Sequence, residues 1–314
     1  MAQRVWTQAE LLHELEPSVE VELNRHLGVA KEWMPHEYIP WSAGQDFDGP
    51  LAGMPWQEAQ SAMSPTARTA LVVNLLTEDN LPSYHREIYQ SFGPDGAWGT
   101  WIGRWTAEEG RHGIAIRDYL LTTRAVDPVA LERERMTHMT AGHIAADELD
   151  MLHTVAYVSF QELATRISHR NTGRFTADPV CEQLLARISL DENLHMVFYR
   201  NLLAKALEIA PDQTVRAVWD VVSKFEMPGS GLDGFARRSM DIAVAGIYDL
   251  RIHRDEVLAP VLKYWKLFDI AGLGPEGEAA LAELEAFMTD MDKKASRFEE
   301  KREVLRKRLE RDRG

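Results

Sequence analysis

Apolar residues recur at helical spacing along most of the chain. The spacing places Val72, Leu75 and Leu76 on one face of a segment that begins at Pro65, and proline is favoured in a first helical turn. The same periodicity predicts four long helices, at 65–89 with a kink at Pro82, at 98–123, at 137–170 and at 178–209. We find no strand-like alternation of apolar and polar residues, so the pattern predicts an all-α protein.

Shorter elements flank these four helices. A helix over 7–28 leads into a turn-rich arm, Asn171-Thr172-Gly173 is expected to end the third long helix, and a short helix starts at Pro128. Helices at 211–226, at 233–268 with a break near Pro260, and at 275–310 follow the core. We therefore predict a single domain over 1–314. It would comprise an N-terminal helix and arm (1–64), a four-helix core (65–210) and flanking C-terminal helices (211–314).

Composition favours a soluble, cytoplasmic protein. Apolar residues make up 45% of the chain, and the single cysteine, Cys181, excludes an internal disulfide framework. The N-terminus lacks the apolar core of a secretion signal, and no run is long enough to span a bilayer, so we expect no membrane insertion. The formal charge of −14 argues against nucleic acid as a partner.

That charge is unevenly distributed along the chain. Residues 293–314 contain ten Lys or Arg and five acids, which leaves −19 on the remainder. The tail is most simply interpreted as a solvated helix with Glu/Arg pairs at helical spacing. A binding patch is the less favoured interpretation of the tail.

The candidate chemistry lies in a repeated Glu-x-x-His motif. It occurs as Glu109 with His112 in the second long helix and as Glu192 with His195 in the fourth. Residues three apart are neighbours on a helix, roughly 5–6 Å between Cβ atoms, so each pair can place a carboxylate oxygen and an imidazole nitrogen on one metal ion. A third occurrence, at residues 10–13, has no partner and is interpreted as accidental.

A bundle that binds two metal ions in this way needs one inward Glu from each of the other two helices. Glu78 follows the apolar stripe of the first long helix and is the candidate there. On the third helix, Glu162 lies among apolar residues, where an unpaired charge is unfavourable, whereas Glu148 lies in an acidic run typical of a solvated face. The order Glu, Glu-x-x-His, Glu, Glu-x-x-His predicts a ferritin-like di-metal bundle.

Longer motifs around these residues resemble the soluble acyl-acyl-carrier-protein desaturases, the family that includes plant stearoyl-carrier-protein desaturase. The motifs are TEDNLPSY at 77–84, RWTAEEGRHG at 104–113, SFQELATRISH at 159–169 and DENLH at 191–195. The likeness extends from the Trp33-x-Pro arm to the basic C-terminal helix. It implies two iron ions per chain, a homodimer, a ferredoxin as electron donor, and an acyl chain on acyl carrier protein as substrate.

The resemblance also implies a role for each residue of the predicted centre. One iron is bound by Glu78 and His112, the other by Glu162 and His195, and Glu109 and Glu192 bridge the two. Ligation by many carboxylates and two histidines suits iron that leaves coordination positions open for dioxygen.

Three further residues match functional positions of the family. Thr165 matches a threonine near the oxygen site and would help to handle protons, although a hydroxyl bonded back to a helix carbonyl is an equal alternative. Asp191 and Trp33 match a conduit between iron and surface. Asp191 could hold an imidazole N–H, and Trp33 could equally be a packed aromatic residue.

The remaining histidines carry less information. His169, seven residues past Glu162, is interpreted as a supporting or packing residue. We assign no role to His26, His36, His138, His143, His153 and His253.

The predicted substrate channel departs from the plant members of the family. We expect His85, Glu87 and Tyr157 to line it. Glu87 falls where the family has an apolar channel residue, and His85, seven residues after Glu78, would lie on a similar helical face. The acyl group is therefore expected to differ in length, oxygenation or position.

Two other functions remain open at this point. A di-iron hydroxylase acting on a carrier-bound acyl chain could begin with the same hydrogen abstraction, and a ferritin-type iron-binding bundle would need only the core. For an acidic carrier protein we favour docking on arginines that flank the iron-bearing segments, with the tail as a second possibility. These arginines are Arg68, Arg86, Arg111 and Arg117.

Overall fold

The computed structural model describes residues 4–142, 150–226 and 234–311. The first helix, α1 (Gln8–Val29), begins with a capping box, in which the Thr7 side chain accepts from the Glu10 amide and the Glu10 side chain accepts from the Thr7 amide. Its buried residues recur every three or four positions, at Leu11, Leu15, Val19, Leu23 and His26. This stripe faces the core of the protein.

A four-helix bundle forms the centre of the fold. In chain order the helices of this region are α2 (Pro65–Asp79), α3 (Leu81–Phe92), α4 (Gly96–Thr122), α5 (Pro128–Ala141), α6 (Met151–Thr176) and α7 (Pro179–Ile209). The bundle itself consists of α2, α4, α6 and α7. Helix α6 packs along α7, α2 packs against α4 and α6, and α4 also contacts α7. Helix α1 lies against α4 and α7, so the predicted all-α, ferritin-like architecture is confirmed.

The kink predicted at Pro82 is a break between two helices. Helix α2 ends at Asp79, and Asn80, with ψ near 7°, separates it from α3. Pro82 then lies in the first turn of α3, where its missing N–H is tolerated. The break changes which faces of α2 and α3 point inward, which matters for the channel residues below.

The third long helix starts later than predicted. Residues 137–141 belong to α5, which ends before Gly142 at a φ of 66°, and α6 starts at Met151 with Asp150 as its cap. The residues between them, including His143 and Glu148, lie outside the described part of the chain. The helical spacing of apolar residues at the end of α5 was therefore wrongly assigned to the same helix as that of α6.

The end of α6 was also predicted too early. Gly173 is buried within the helix, and a Cβ there would lie 3.2 Å from the Cα of Glu182. Glycine at this position allows α6 and α7 to approach closely. The helix ends instead at Ala177, whose φ of 56° is left-handed.

Arg124 contacts the arm between α1 and α2 at several points. Arg124 is 5% exposed and donates from Nη2 to the carbonyl of Met54 at 2.8 Å and from Nη1 to the carbonyl of Gln45 at 3.2 Å. Its guanidinium also lies 4.1 Å from the ring centroid of Phe47. These contacts help to fix a segment whose regular structure is limited to short 3-10 turns and a β-bridge between Phe47 and Met54.

The C-terminal helices cover one side of the bundle. They are α8 (Pro211–Ser223), α9 (Phe235–Val244), α10 (Leu250–Ile252), a π-helical turn (His253–Leu258), α11 (Ala259–Tyr264) and α12 (Pro275–Arg311). The break predicted near Pro260 lies earlier, between α9 and α10, because the widened π-helical turn leads directly into the helix that contains Pro260. Among the described helices, none combines the length and apolarity needed to cross a membrane.

Candidate metal centre

Six buried side chains from four helices converge in the middle of the bundle. They are Glu78 from α2, Glu109 and His112 from α4, Glu162 from α6, and Glu192 and His195 from α7. Their ligand atoms form two groups, each with all its atoms within 4.8 Å of one another. Glu109 and Glu192 belong to both groups, so the two candidate metal positions adjoin.

The histidine of each Glu-x-x-His pair lies close to the glutamate of the other pair across the bundle. His112 Nδ1 lies 3.1 Å from Glu192 Oε1 and 3.4 Å from Glu109 Oε2. His195 Nδ1 lies 2.7 Å from Glu109 Oε1 and 3.5 Å from Glu162 Oε2. His112 therefore faces one carboxylate from its own helix and one from α7, whereas His195 faces carboxylates from α4 and α6.

Several atoms at this centre are buried and lack a hydrogen bond of normal geometry within the described residues. They are Glu109 Oε1, Glu162 Oε2, Glu192 Oε1, His112 Nδ1 and His195 Nδ1. Buried polar atoms are normally paired, because an unsatisfied one costs roughly 1–3 kcal/mol. All five are potential metal-ligand atoms that face the same small region, as expected of a centre that binds metal.

The electrostatics of the centre also favour the binding of metal ions. Burial, and then the charges of Glu109 and Glu192, raises the pKa of Glu162 well above its ordinary value. Burial also raises the pKa of Glu78, but hydrogen bonds involving His112 and His169 outweigh it and hold that pKa below the ordinary range. Four buried carboxylates without cations would repel one another strongly, and two divalent ions would balance their four negative charges.

A supporting carboxylate lies behind His112. Asp191 Oδ2 is 3.4 Å from His112 Nε2 and accepts from Trp33 Nε1 at 2.7 Å. Arg187 and Arg111 also bond to Asp191. Trp33 and Asp191, the two residues matched to a conduit, are thus in direct contact, and Trp33 is also a packed aromatic, 3% exposed. Their role as a conduit stays a prediction.

The equivalent carboxylate behind His195 was not predicted. Glu108 Oε2 lies 2.9 Å from His195 Nε2 and 2.9 Å from His26 Nε2. Burial would raise the pKa of Glu108, but its hydrogen bonds with His195 and His26 hold it well below the ordinary value. One signal was available in the sequence, since an acid precedes the Glu of both motifs, as Glu108 and as Asp191.

Other predicted residues also touch the centre. Thr165 Oγ1 lies 2.8 Å from Glu192 Oε2 and 3.0 Å from the carbonyl oxygen of Glu162, so both interpretations of this hydroxyl are geometrically possible. His169 Nε2 lies 2.8 Å from Glu78 Oε1, in a supporting position.

Two small cavities adjoin the centre. One, of ≈ 30 Å³, is lined by Tyr84, Glu87, Trp105, Tyr157 and Gln161 among others. It lies behind Trp105, whose Nε1 donates to Glu162 Oε1 at 2.9 Å. The second, of ≈ 80 Å³, is lined by Thr165, Ser168, His169, Phe235 and Tyr248 among others.

Two of the three predicted channel residues line the first cavity. Glu87 and Tyr157 do so, but His85 is not among the lining residues. Its Nδ1 instead lies 2.8 Å from Thr106 Oγ1 on α4. The prediction for His85 counted seven residues from Glu78 along one helix, and the break at Asn80 removes that phase relation.

Fold and site together define a ferritin-like helical bundle with a buried carboxylate–histidine centre beside internal cavities. The chain belongs to the fatty acid desaturase family, whose family model matches residues 7–312. The resemblance inferred from the motifs is thereby confirmed.

Named relatives cover most of the chain. Acyl-[acyl-carrier-protein] desaturase DesA1 of Mycobacterium tuberculosis is 51% identical over 302 residues, which is 93% of this chain and 88% of that protein. Stearoyl-[acyl-carrier-protein] 9-desaturase 2 of Oryza sativa is 30% identical over 310 residues, or 92% and 75% of the two chains. The X-ray structure of acyl-ACP desaturase DesA2 from M. tuberculosis superposes with a TM-score of 0.70 at 30% identity. It covers 86% of this chain and 98% of that one.

Proposed function

We propose that this protein catalyses the dioxygen-dependent desaturation of an acyl chain carried on acyl carrier protein, with two iron ions bound per chain. The observation that carries the proposal is the convergence of four buried carboxylates and two imidazoles on one small region, with five of their ligand atoms lacking a normal hydrogen bond among the described residues. Family membership supports the reaction class.

Each residue of the centre has a proposed place. Glu78 and His112 would hold one iron, Glu162 and His195 the other, and Glu109 and Glu192 would bridge them, which agrees with their membership of both ligand groups. Bound iron would supply, with dioxygen, the oxidising power to remove two hydrogens from an unactivated methylene pair.

The chain's own residues would orient the substrate and exclude water. Tyr157, Gln161, Thr165 and Ser168 recur at helical spacing along one face of α6 and line the two cavities. An acyl chain lying along this face would pass directly beside Glu162 and the centre. The Thr165 hydroxyl, bonded to Glu192, could hold or donate a proton there.

Electrons would reach the centre through the arm. Trp33, Asp191 and His112 form a continuous contact, with the Trp33 and His112 rings nearly parallel and 6.4 Å apart. A reduced ferredoxin is the proposed donor, in keeping with the family resemblance. A cytoplasmic location, expected from the single cysteine, belongs to the same proposal.

A homodimer is the proposed assembly. The outward face of α4 carries the small residues Gly103 and Ala107 and the apolar Ile114, which is 56% exposed. Small and apolar residues allow a second helix to pack closely. Sedimentation at several concentrations tests this, and a monomer throughout would reject it.

Product analysis tests the proposed reaction. Purified protein is loaded with ferrous iron and supplied with ferredoxin, its reductase, dioxygen and carrier-linked acyl chains of several lengths. Desaturation yields a product lighter by two hydrogens, whereas hydroxylation yields one heavier by an oxygen atom. Iron uptake without any change in the acyl chain would instead favour an iron-binding bundle and reject the proposal.

A further inference from the structure

The two Glu-x-x-His motifs share an acid one residue before their glutamate. Consecutive helical residues point about 100° apart, so Glu109 faces the centre while Glu108 points sideways, and Glu192 and Asp191 are related in the same way. Each sideways acid meets the imidazole of the opposite motif: Asp191 meets His112, and Glu108 meets His195. The two halves of the centre are therefore built alike.

Each of these acids is held by the N–H of a ring from outside the four-helix bundle. Trp33 Nε1 donates to Asp191 at 2.7 Å, and His26 Nε2 lies 2.9 Å from Glu108. Arg111 lies between the acids, with Nη2 3.2 Å from Asp191 Oδ2 and 3.9 Å from Glu108 Oε1. His26 thus occupies, for one half of the centre, the position that Trp33 occupies for the other.

The contact determines where the His195 proton lies. An ionised carboxylate only accepts hydrogen bonds, so Glu108 requires N–H at Nε2 of both His26 and His195. In neutral His195 the lone pair then lies on Nδ1, the atom that faces Glu109 and Glu162. A carboxylate in this position also raises the ability of the imidazole to bind a metal ion.

Packing alone does not account for a histidine at position 26. The other buried positions of the α1 stripe are Leu11, Leu15, Val19 and Leu23, and His26 is fully buried. Its Nδ1 has no hydrogen-bond partner among the described residues, so the ring carries a desolvation cost that an aliphatic side chain would avoid. The bond to Glu108 is the interaction that offsets this cost.

We propose that His26 is a positioning residue of the metal centre, which acts through Glu108 to hold His195 ready to bind iron. The proposal rests on the di-iron function proposed above. It makes the last turn of α1 part of the centre and predicts that the iron bound by His195 depends on His26 more than the iron bound by His112 does.

Iron release to a chelator tests the proposal directly. His26→Phe keeps an aromatic ring at this position but removes the N–H that donates to Glu108, so one of the two irons should leave several-fold faster. The effect should be smaller than the roughly 10–100-fold expected for removing Glu108 itself, the direct partner of His195. His26→Gln, whose amide can donate to Glu108, should restore slow release. Exposed His13 on the same helix supplies the control, His13→Phe.

Mössbauer spectra of the loaded variants give a second readout. His26→Phe should alter the signal of one iron site and leave the other unchanged, while thermal unfolding of the metal-free protein stays close to wild type. If Glu108→Gln is made first, adding His26→Phe should change iron release little, because the path through Glu108 is already broken.

Three results would overturn the proposal. These are wild-type release of both irons in His26→Phe, equal acceleration of both irons, or a defect in His26→Gln as large as that in His26→Phe. Failure of the proposed function can be distinguished from failure of this proposal. If the wild-type protein binds two irons but forms no desaturated product, iron release can still be compared between wild type and His26→Phe.

Discussion

At the residue scale, the glutamates of the centre differ in how many ligand groups they join. Glu109 and Glu192 belong to both groups, whereas Glu78 and Glu162 each belong to one. A residue that contacts both metal positions contributes to both binding equilibria. Substitutions at these positions should therefore separate into two classes.

We predict that Glu109→Ala and Glu192→Ala each lose both irons. Glu78→Ala, in contrast, should bind one of the two irons more tightly than the other. The loss should amount to roughly 100-fold or more in affinity, since removal of a ligand exceeds the 10–100-fold effect of losing a supporting residue. Iron quantitation after gel filtration measures this. Glu87→Ala is the control, because Glu87 is not one of the ligand residues. The sequence suggested Glu148 as a control, but that residue lies beyond the part of the chain that the structure describes.

The channel prediction concerns Glu87, which lines the cavity behind Trp105. Glu87→Met replaces a charged side chain in the cavity wall by an apolar one, which makes the wall more favourable for a hydrocarbon chain, so the variant should shift the accepted chain length towards longer or more apolar acyl groups. Iron content should not change. Product profiles over a series of acyl-carrier substrates decide it, and an unchanged profile would mean that Glu87 does not contact the substrate.

The six residues of the centre could be predicted because Glu-x-x-His is a local pattern that occurs on two of the four helices, each preceded along the chain by a helix that supplies a single inward Glu. Their meeting in one place is observed, and their binding of iron stays a prediction. His26 could not be assigned in this way, because its partner is on another helix and only the packing of α1 against α4 brings them together. A polar residue at the end of an aliphatic stripe was the available hint.

At the element scale, helix content was predictable and helix boundaries were less so. The periodicity across α5 and α6 suggested one helix, and the glycine inside α6 suggested a helix end. In the second case a tertiary contact decides, since a Cβ at Gly173 would lie 3.2 Å from the Cα of Glu182 on α7, closer than most Cβ contacts in proteins. Local pattern does not contain this information.

The π-helical turn carries a pH-sensitive contact. His253 Nδ1 lies 2.8 Å from the hydroxyl of Tyr248, which lines the second cavity, and burial lowers the pKa of His253 from 6.5 to about 4. Between these values the unfolded chain binds a proton that the folded chain does not. The free energy of unfolding should therefore fall as pH falls through this window, by up to about 3 kcal/mol.

We predict that His253→Gln removes much of this dependence, because glutamine can still accept from Tyr248 but does not titrate. Urea unfolding of the two metal-free proteins at about pH 7 and about pH 4.5 gives the comparison. The difference between their unfolding free energies should change with pH. Parallel behaviour of the two proteins would contradict the prediction, and His13→Gln serves as the exposed control.

At the scale of the whole molecule, the fold pairs some of the basic side chains with acidic ones and so changes which positive charges are available to a partner. Of the four arginines expected to attract a carrier protein, Arg111 bonds to Asp191 and to the carbonyl of Trp33, and Arg68 pairs with Glu58. Arg86 is exposed, and Arg117 is partly exposed, with only longer contacts of 3.6 Å to Asp118 and 3.8 Å to Glu132. The helix-borne patch is thus reduced to these two residues.

The basic tail is also more integrated than a solvated helix. Arg302 bonds to Asp249 at 2.5 Å, and Ser296 and Glu299 bond to Arg251. Deleting residues 293–314 would therefore remove contacts with the flanking helices as well as charge. Lys293 and Arg297 are exposed, so neutralising them tests the charge of the tail with less effect on the fold.

The last prediction follows from these charges. Carrier proteins of this kind are generally acidic and this chain carries −14, so long-range repulsion must be offset by a local basic surface. If Arg86 and Arg117 provide it, KM for the carrier-linked substrate should rise with salt while kcat changes little, because charges are screened beyond about 8 Å at 0.15 M. Arg86→Gln with Arg117→Gln should raise KM several-fold at low salt and flatten its salt dependence.

The matched comparison is Lys293→Gln with Arg297→Gln, which removes the same number of positive charges from the tail. Because both double variants make the protein more negative by two charges, a general effect of net charge would raise KM equally in the two. A docking effect would raise it only where the carrier binds. If the tail variant alone flattens the salt dependence, the carrier docks on α12 and the preference for the helix-borne arginines is wrong.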